Sequence, residues 1–373
     1  MTRIVELGKL YPPHTGGVER HMQLLARCLL TDPDTRVDVL CGQPRPALQS
    51  SEIGDRFSVQ RLATVARWMS TPIALGLRRA IAALAPDVIH FHSPYPWADV
   101  ASARAFTEFP LVVTHHMDIV RHAWLLPAVG RFYRRTLSAA RKVIATSPQM
   151  AENSPWLAAH RQKVEVIPLG IDIAHWKSLM ALPIAGPLRA LAESAPRPIY
   201  LFVGRLAYYK GLPDLFRALA DVEGTLVVAG SGPLLPALQR LARRTGQPAL
   251  FIEKADDGDL SELYRIADVF VLPSNSRAEA FGLVLLEASL HGLPLVTCRV
   301  GTGVEFVNVD GLTGLQVPAG NILALRSALQ TLGRNRSMRE DFGQAGAGRV
   351  RRDFDMSVLA ERTRDVLESA ARA

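Results

Sequence analysis

Short apolar runs rich in β-branched residues recur from one end of the chain to the other, each followed by a longer stretch of helical periodicity. The clearest are Arg3–Leu7, Arg36–Cys41, Asp87–His90, Leu111–Thr114, Lys142–Thr146 and Val164–Ile167. A gap at Lys177–Pro198 carries Pro183, Pro187, Pro196 and Pro198 and no strand signal. The rhythm then restarts with Ile199–Val203, Thr225–Ala229, Leu250–Ile252, Asp268–Leu272, Leu295–Thr297 and Leu315–Val317. Strands alternating with helices of about ten to fifteen residues build βαβ units and parallel sheets. Runs such as IYLFV, TLVVA and DVFVL show no polar alternation, as expected of strands covered on both faces. The expectation is an α/β protein of two doubly wound, Rossmann-like domains facing each other across a cleft, with the Pro-rich gap as linker. Such sheets bind ligands beyond the carboxyl ends of their strands, so the chemistry is sought in the loops that follow them.

Size and composition agree. The 373 residues are about twice a typical domain, and 48% apolar with 21% charged residues suits a large core. No run approaches the roughly 18–20 uninterrupted apolar residues that span a bilayer. The opening MTRIVELGKLYPP has too short an apolar run for a signal peptide, so the expected location is cytoplasmic. Cys28, Cys41 and Cys298 fit neither a disulfide framework nor a zinc site. The net charge of +8 is concentrated in residues 1–175, with 20 Lys and Arg against 14 Asp and Glu. A basic first half points to an anionic partner: a phosphate-bearing substrate or an acidic membrane surface. Nucleic acid is not expected, because no basic run is interleaved with aromatics.

Three loops carry residues suited to chemistry. Gly16-Gly17 lies between the first strand and a helix, where N–H groups at the positive end of a dipole can meet phosphate; an ordinary tight turn is the alternative. Gly204-Arg205 with Lys210-Gly211 follows the Ile199–Val203 run and can place two cations at a strand mouth, either for a diphosphate or as a solvated pair. The segment from Pro273 to Ala288 holds Glu279 and Glu287, seven residues between them. Glu279 falls in a loop, free to accept from sugar hydroxyls. Glu287 falls on a helix whose Leu283, Leu286 and Leu290 face inward, where it can accept from a ribose diol, with the N–H groups of Ala280, Phe281, Gly282 and Leu283 beside it.

Taken together, Tyr11-Pro12-Pro13…Gly16-Gly17-Val18-Glu19-Arg20, Thr114-His115-His116, Ile167–Asp172, Gly204-Arg205…Lys210-Gly211 and Glu279…Glu287 resemble the family 4 retaining glycosyltransferases of the GT-B fold. The resemblance covers essentially the whole chain. It implies an acceptor-binding domain at 1–177, a nucleotide-sugar-binding domain at 178–353 and a final stretch, 354–373, returning to the first. It implies that Gly16 and Gly17 lie near the donor, and that His116, or its neighbour His115, sits by the transferred sugar. Gly204, Arg205 and Lys210 would bind the diphosphate and stabilise the leaving group. Glu279 would hold sugar hydroxyls and Glu287 the ribose. The implied partners are a nucleotide-diphosphate sugar, which is the donor substrate rather than a cofactor, and a carbohydrate or lipid-linked acceptor. Bacterial members that assemble surface polysaccharides, many of them mannosyl- or rhamnosyltransferases using GDP-sugars, are the nearest pattern.

One departure bears on the base: Glu253 stands where the family often has Gly. No catalytic metal is expected, since Asp32-Pro33-Asp34 and Asp257-Gly258-Asp259 read as turns. His90 and His92 flank Phe91 at a strand end and read either as acceptor-side residues or as structural ones. Arg121–Lys142 mixes Trp124, Phe132 and Tyr133 with Arg131, Arg134 and Arg135. It reads either as a helix resting on an anionic bilayer, at the inner face of the plasma membrane, or as a buried helix with a solvated Arg face. The competing functions are a UDP-sugar-dependent transferase, a sugar-nucleotide epimerase of the same fold, and a non-catalytic sugar-nucleotide sensor.

Overall fold

The computed structural model describes all residues except Thr15, Met69, Ser70, 120–125, Ala185 and Ala373, and it leaves the side chains of 126–128 undescribed. Its contacts divide the chain into two units, Met1–Gly170 with Met356–Ala373, and Ile171–Asp355.

The first unit contains β1 (Thr2–Gly8), β2 (Thr35–Cys41), β3 (Ser50–Ile53), β4 (Phe57–Arg61), β5 (Thr64–Trp68), β6 (Thr71–Ala74), β7 (Val88–Ser93), β8 (Leu111–His115), β9 (Lys142–Ala145) and β10 (Val164–Val166). Among the described residues its main sheet runs in the order β10-β9-β8-β7-β1-β2-β4-β3, parallel except at the β3–β4 edge, while β5 and β6 form a separate antiparallel pair. The second unit has β11 (Ile199–Val203), β12 (Thr225–Ala229), β13 (Ala249–Ile252), β14 (Val269–Leu272), β15 (Leu295–Arg299) and β16 (Gly314–Pro318), in the order β13-β12-β11-β14-β15-β16, all parallel. The central strands β7, β8, β11 and β12 are buried at every position, which is why their sequences lack alternation.

Strand order reverses between β1 and β7 in the first sheet, and between β11 and β14 in the second. In doubly wound sheets such a point is where ligands bind, beyond the carboxyl ends of the strands. The loops at these two points contain Gly16-Gly17 and the residues after Ser93 in one unit, and Gly204–Lys210 and Pro273–Gly282 in the other.

Two boundaries differ from expectation. The segment 177–198 is not a bare linker: helices Ile173–Met180 and Gly186–Ser194 occupy much of it, both within the second unit, whose boundary falls at Gly170–Ile171. Asp172 caps the former by accepting from His175 N, and Trp176 inserts beside Tyr264 and His291. Proline there punctuates helices instead of keeping the chain extended. The return to the first unit comes at Met356, and helix Met356–Arg372 buries Leu359, Ala360, Val366 and Leu367 in the core that helix Gly17–Leu29 shares. Each such leucine contributes about 2 kcal/mol by leaving water.

Candidate active site

In the second unit the residues at the switch point meet. Lys210, in a single 3-10 turn, places its ammonium 2.5 Å from Glu279 Oε2, and Ser274 donates to the same oxygen at 2.8 Å. Both side chains are about nine-tenths buried. Expected to be free, Glu279 is instead paired and sealed in: its loop folds over the strand ends, with Thr302 donating to its carbonyl and Gly303 N to Ala280 O. Gly211 makes this possible. Its φ of +66° lies in the left-handed region, and a Cβ there would fall 2.0 Å from the Pro273 carbonyl oxygen, so only glycine lets the two loops close on each other. Gly204 leaves β11 at φ +146°, and Arg205 beside it is exposed.

Glu287 has different surroundings. It lies on helix Leu283–Leu290, 2% exposed, and accepts a hydrogen bond from Tyr264 at 2.9 Å. That helix is buried at Leu285, Leu286, Ala288, Ser289 and Leu290 while Leu283 is only half-buried, so its inward face is broader than the expected Leu283–Leu286–Leu290 stripe. Gly282, at φ +79°, begins the helix with no side chain capping the first-turn N–H groups; Ala280 and Phe281 before it are buried. Glu253 is exposed after β13. Asp257-Gly258-Asp259 opens a helix in which Asp256 and Asp259 cap each other's N–H groups, and Asp32 accepts from Asp34 N and Thr35. Asp32 and Asp259 are thus engaged in local capping, and Asp257 pairs with His175 at 2.9 Å.

In the first unit Gly16 is the extended N-cap of helix Gly17–Leu29, and both glycines are exposed. Glu19 folds back over them: its Oε2 lies 2.2 Å from where a Gly16 Cβ would be. A carboxylate already sits at that helix end.

The two adjacent histidines separate by strand parity. Register pairs Glu6 with His90 and His92 with Thr114, so Glu6, His90, His92, Thr114 and, one step past the strand, His116 share one face of the sheet. His115 points to the other. There both its ring nitrogens are engaged, Nδ1 with Tyr133 OH at 2.6 Å and Nε2 with Asp118 Oδ1 at 3.1 Å, and Ser154 donates to the same Asp118 oxygen. On the first face His116 Nε2 is 2.9 Å from His92 Nδ1, His92 Nε2 is 2.5 Å from Glu6 Oε2, and His90 bridges Glu6 Oε1 (3.0 Å) and Thr114 (2.7 Å). His21, from helix Gly17–Leu29, stands edge-on to His92 and His116. Nδ1 of His116 and Nδ1 of His21 are buried without a hydrogen-bond partner among the described residues. Of the two candidates, His116 is therefore the one with an unused ring nitrogen.

Burial, reinforced by the neighbouring imidazoles, holds His116 well below the usual histidine range, His92 at about 4 and His21 at about 3. These rings are neutral at physiological pH. Burial would raise Glu6, but attraction and hydrogen bonds from His90 and His92 outweigh it and hold the carboxyl well below its ordinary range.

Two three-residue groups, His21–His92–His116 and Glu6–His90–His92, bring donor atoms within 4.8 Å of one another. The His92 and His116 rings nevertheless stand nearly head-on, with planes 19° apart and centres 5.2 Å apart across the 2.9 Å nitrogen contact. Lone pairs directed along one line suit an N–H···N bond. A metal about 2.0–2.1 Å from each nitrogen needs them to converge on a third point.

Neither Glu6 nor His21 stands out in the sequence, and the available signal was parity: polar residues at same-face positions of adjacent, fully buried strands. In the 121–142 segment, 121–125 lie outside the described residues. The described helix buries Tyr133 and Leu137 and exposes Arg131, Arg134 and Arg135, the pattern of a core helix with a solvated Arg face. Among the described residues no helix is long and apolar enough to cross a membrane.

Two units, each built on a largely parallel sheet with polar groups gathered at its switch point, make up the two-domain architecture of the GT-B fold. Sucrose-phosphate synthase from Thermosynechococcus elongatus superposes with a TM-score of 0.81 at 22% identity, covering 99% of both chains. Residues 15–175 match the Glycosyltransferase Family 4 model, and residues 189–349 match that of Glycosyl transferases group 1. The chain is 31% identical over 357 residues to D-rhamnosyltransferase WbpZ of Pseudomonas aeruginosa, covering 94% of this chain and 92% of that protein. It is 30% identical over 279 residues to O-antigen chain mannosyltransferase C of Escherichia coli, covering 72% and 71%. The chain belongs to the family 4 glycosyltransferases.

Proposed function

We propose that this enzyme transfers a hexose or deoxyhexose from a nucleotide-diphosphate sugar, with a GDP-sugar favoured over a UDP-sugar, to a carbohydrate or lipid-linked acceptor, with retention at the anomeric carbon and without a catalytic metal. The observation that carries this reading is the Lys210–Glu279 pair, buried beside Ser274 at the switch point of the second sheet. In it, Lys210 turns from Glu279 toward the diphosphate as the donor binds, Arg205 supplies a second cation, and Gly204 lets phosphate approach the backbone. Glu279 then accepts from sugar hydroxyls, and Glu287, oriented by Tyr264, from the ribose. The uncapped N–H groups after Gly282 serve the phosphates. Gly16 and Gly17 lie near the donor sugar, and Glu19 must swing away for them to do so. His116 accepts from a sugar hydroxyl through Nδ1.

Retention is supported by the engagement of Glu279 with Lys210, which suits a holder of hydroxyls better than a nucleophile of a double displacement. Catalysis then rests on positioning and on stabilising the departing diphosphate. The rhamnosyl and mannosyl transfer named for the two relatives supports the sugar class. Among the described residues of that segment, a contact with an anionic membrane would use exposed Arg131, Arg134, Arg135 and Arg141, because Tyr133 and Leu137 are committed to the core.

The test is incubation with GDP-mannose, GDP-rhamnose or UDP-glucose, with and without a lipid-linked saccharide acceptor, following nucleoside diphosphate release and product configuration by NMR. Acceptor-dependent release from a GDP-sugar with an α-linked product is expected. Epimerised sugar nucleotide formed without acceptor would overturn it.

A further inference from the structure

The polar groups on one face of the first sheet form one chain of hydrogen bonds, and with His92 and His116 neutral its protons have one arrangement along Glu6, His92 and His116. An ionised carboxylate only accepts, and a neutral imidazole carries one N–H and one lone pair. Glu6, fully buried, meets His90 Nδ1 with one oxygen and His92 Nε2 with the other, so both of those nitrogens carry the hydrogen. His90 Nε2 lies 2.7 Å from the Thr114 hydroxyl, which can serve it as donor or acceptor. Neutral His92 is left with a lone pair on Nδ1, and the atom facing it at 2.9 Å, His116 Nε2, must donate. The remaining atom of the chain, His116 Nδ1, is a buried lone pair with no partner among the described residues. Reversing the order would set bare His92 Nε2 against the carboxylate at 2.5 Å, two acceptors in contact.

We infer that Glu6 and His92 are positioning residues: they lock His116 as the Nε2–H tautomer, so that its Nδ1 is presented as an uncharged acceptor to a hydroxyl of the bound sugar. The sugar contact rests on the function proposed above; the tautomer does not. His21 closes the cluster from its helix, its ring centre 5.4 Å from that of His116. A neutral acceptor in so sealed a place orients a hydroxyl without taking its proton, which separates this chain from a general base.

The tautomer is read directly from the wild-type protein, ligand-free, labelled with 15N-histidine, at neutral pH. The resonances of His116 are assigned by their loss in His116→Ala. A protonated Nε2 and a bare Nδ1 are expected; a protonated Nδ1, or hydrogens on both nitrogens, overturns the inference whatever the enzyme's activity. Glu6→Gln adds a functional readout, since an amide must donate to one of the two imidazoles and can reverse the chain. It should shift the His92 and His116 nitrogens and lower kcat about tenfold while leaving the dissociation constant for GDP unchanged. Wild-type shifts together with wild-type kcat in that variant would remove the positioning role. If His116→Ala turns over normally while the wild-type tautomer is as expected, the sugar contact fails and the relay stands.

Discussion

The two switch points of this enzyme hold buried polar groups by opposite means. In the first unit the groups sit within strands and just past them, and register alone sets them on one face: Glu6, His90, His92, Thr114, His116. One carboxylate is shared by two imidazoles, and burial keeps His92, His116 and His21 neutral. In the second unit the groups sit in loops beyond the strands, and their meeting depends on backbone exceptions such as Gly211, whose missing Cβ lets the Pro273 carbonyl approach. There a full ion pair, Lys210 with Glu279, is buried between two loops. A network fixed by sheet register suits an orienting task. A charge pair held between loops suits the capture of a charged substrate.

The largest expected effect breaks the second site. Lys210→Ala leaves Glu279 buried without its cation, and kcat/KM should fall at least about 100-fold, with stability lowered on the order of 3 kcal/mol in urea unfolding. The double variant Lys210→Met, Glu279→Leu should recover most of that stability and none of the activity, because a buried pair replaced by apolar groups of similar size is often neutral. Recovery of activity together with stability would make the pair purely architectural.

Next in size is a contrast within the first unit. Glu6 has two ring N–H donors, whereas Asp99 has one hydroxyl, that of Thr136, and its second oxygen is unpartnered. Burial, partly offset by Thr136, raises the Asp99 carboxyl from 3.8 to about 7. Its folded value lies above its unfolded one, so the stability it contributes is full below pH 3.8 and is lost as pH rises through about 7. Asp99→Asn should match wild type at pH 4 and melt about 5 °C higher at pH 8. Equal melting at both would mean the carboxyl is not desolvated as the structure has it.

The smallest effects sharpen the division of labour. Tyr264→Phe removes the hydrogen bond that orients Glu287 and should raise KM for the nucleotide sugar about threefold, the cost of one neutral-to-charged hydrogen bond partly replaced by water. Tyr133→Phe, on the opposite face of the first sheet, should cost about 1 kcal/mol of stability and leave kcat alone, because it touches His115 and not His116.

Much of this was legible beforehand. All twelve apolar runs are strands; in the central ones continuous burial on both faces leaves a signal that needs no partner to be read, while β10, β13 and β16 are only partly buried. The strands β3, β4, β5 and β6 carry no such run: Ser50–Ile53 is an exposed edge, Phe57–Arg61 carries Ser58, Gln60 and Arg61 among its five residues, and Pro72 and Arg67 break the apolar pattern of Thr64–Trp68 and Thr71–Ala74. The segment 177–198 was misjudged because prolines near helix ends look, in one dimension, like those of a linker. The second site was visible as motifs, for Gly-Arg, Lys-Gly and the two glutamates lie close along the chain, although nothing local told that Lys210 and Glu279 would pair. The first site was nearly invisible. Glu6 and His90 are neighbours only through the register of β1 against β7, and a lone glutamate in an apolar strand carries no local mark. Parity also puts His115 and His116 on opposite faces of the sheet, a difference that spacing alone leaves open.

The division between the two sites is tested most directly by titrating GDP into wild type, Lys210→Ala and His116→Ala and measuring heat or melting temperature. The account predicts that binding collapses in Lys210→Ala and is kept in His116→Ala, whose defect appears only when sugar is transferred. Normal GDP binding by Lys210→Ala, with loss in His116→Ala, would contradict it.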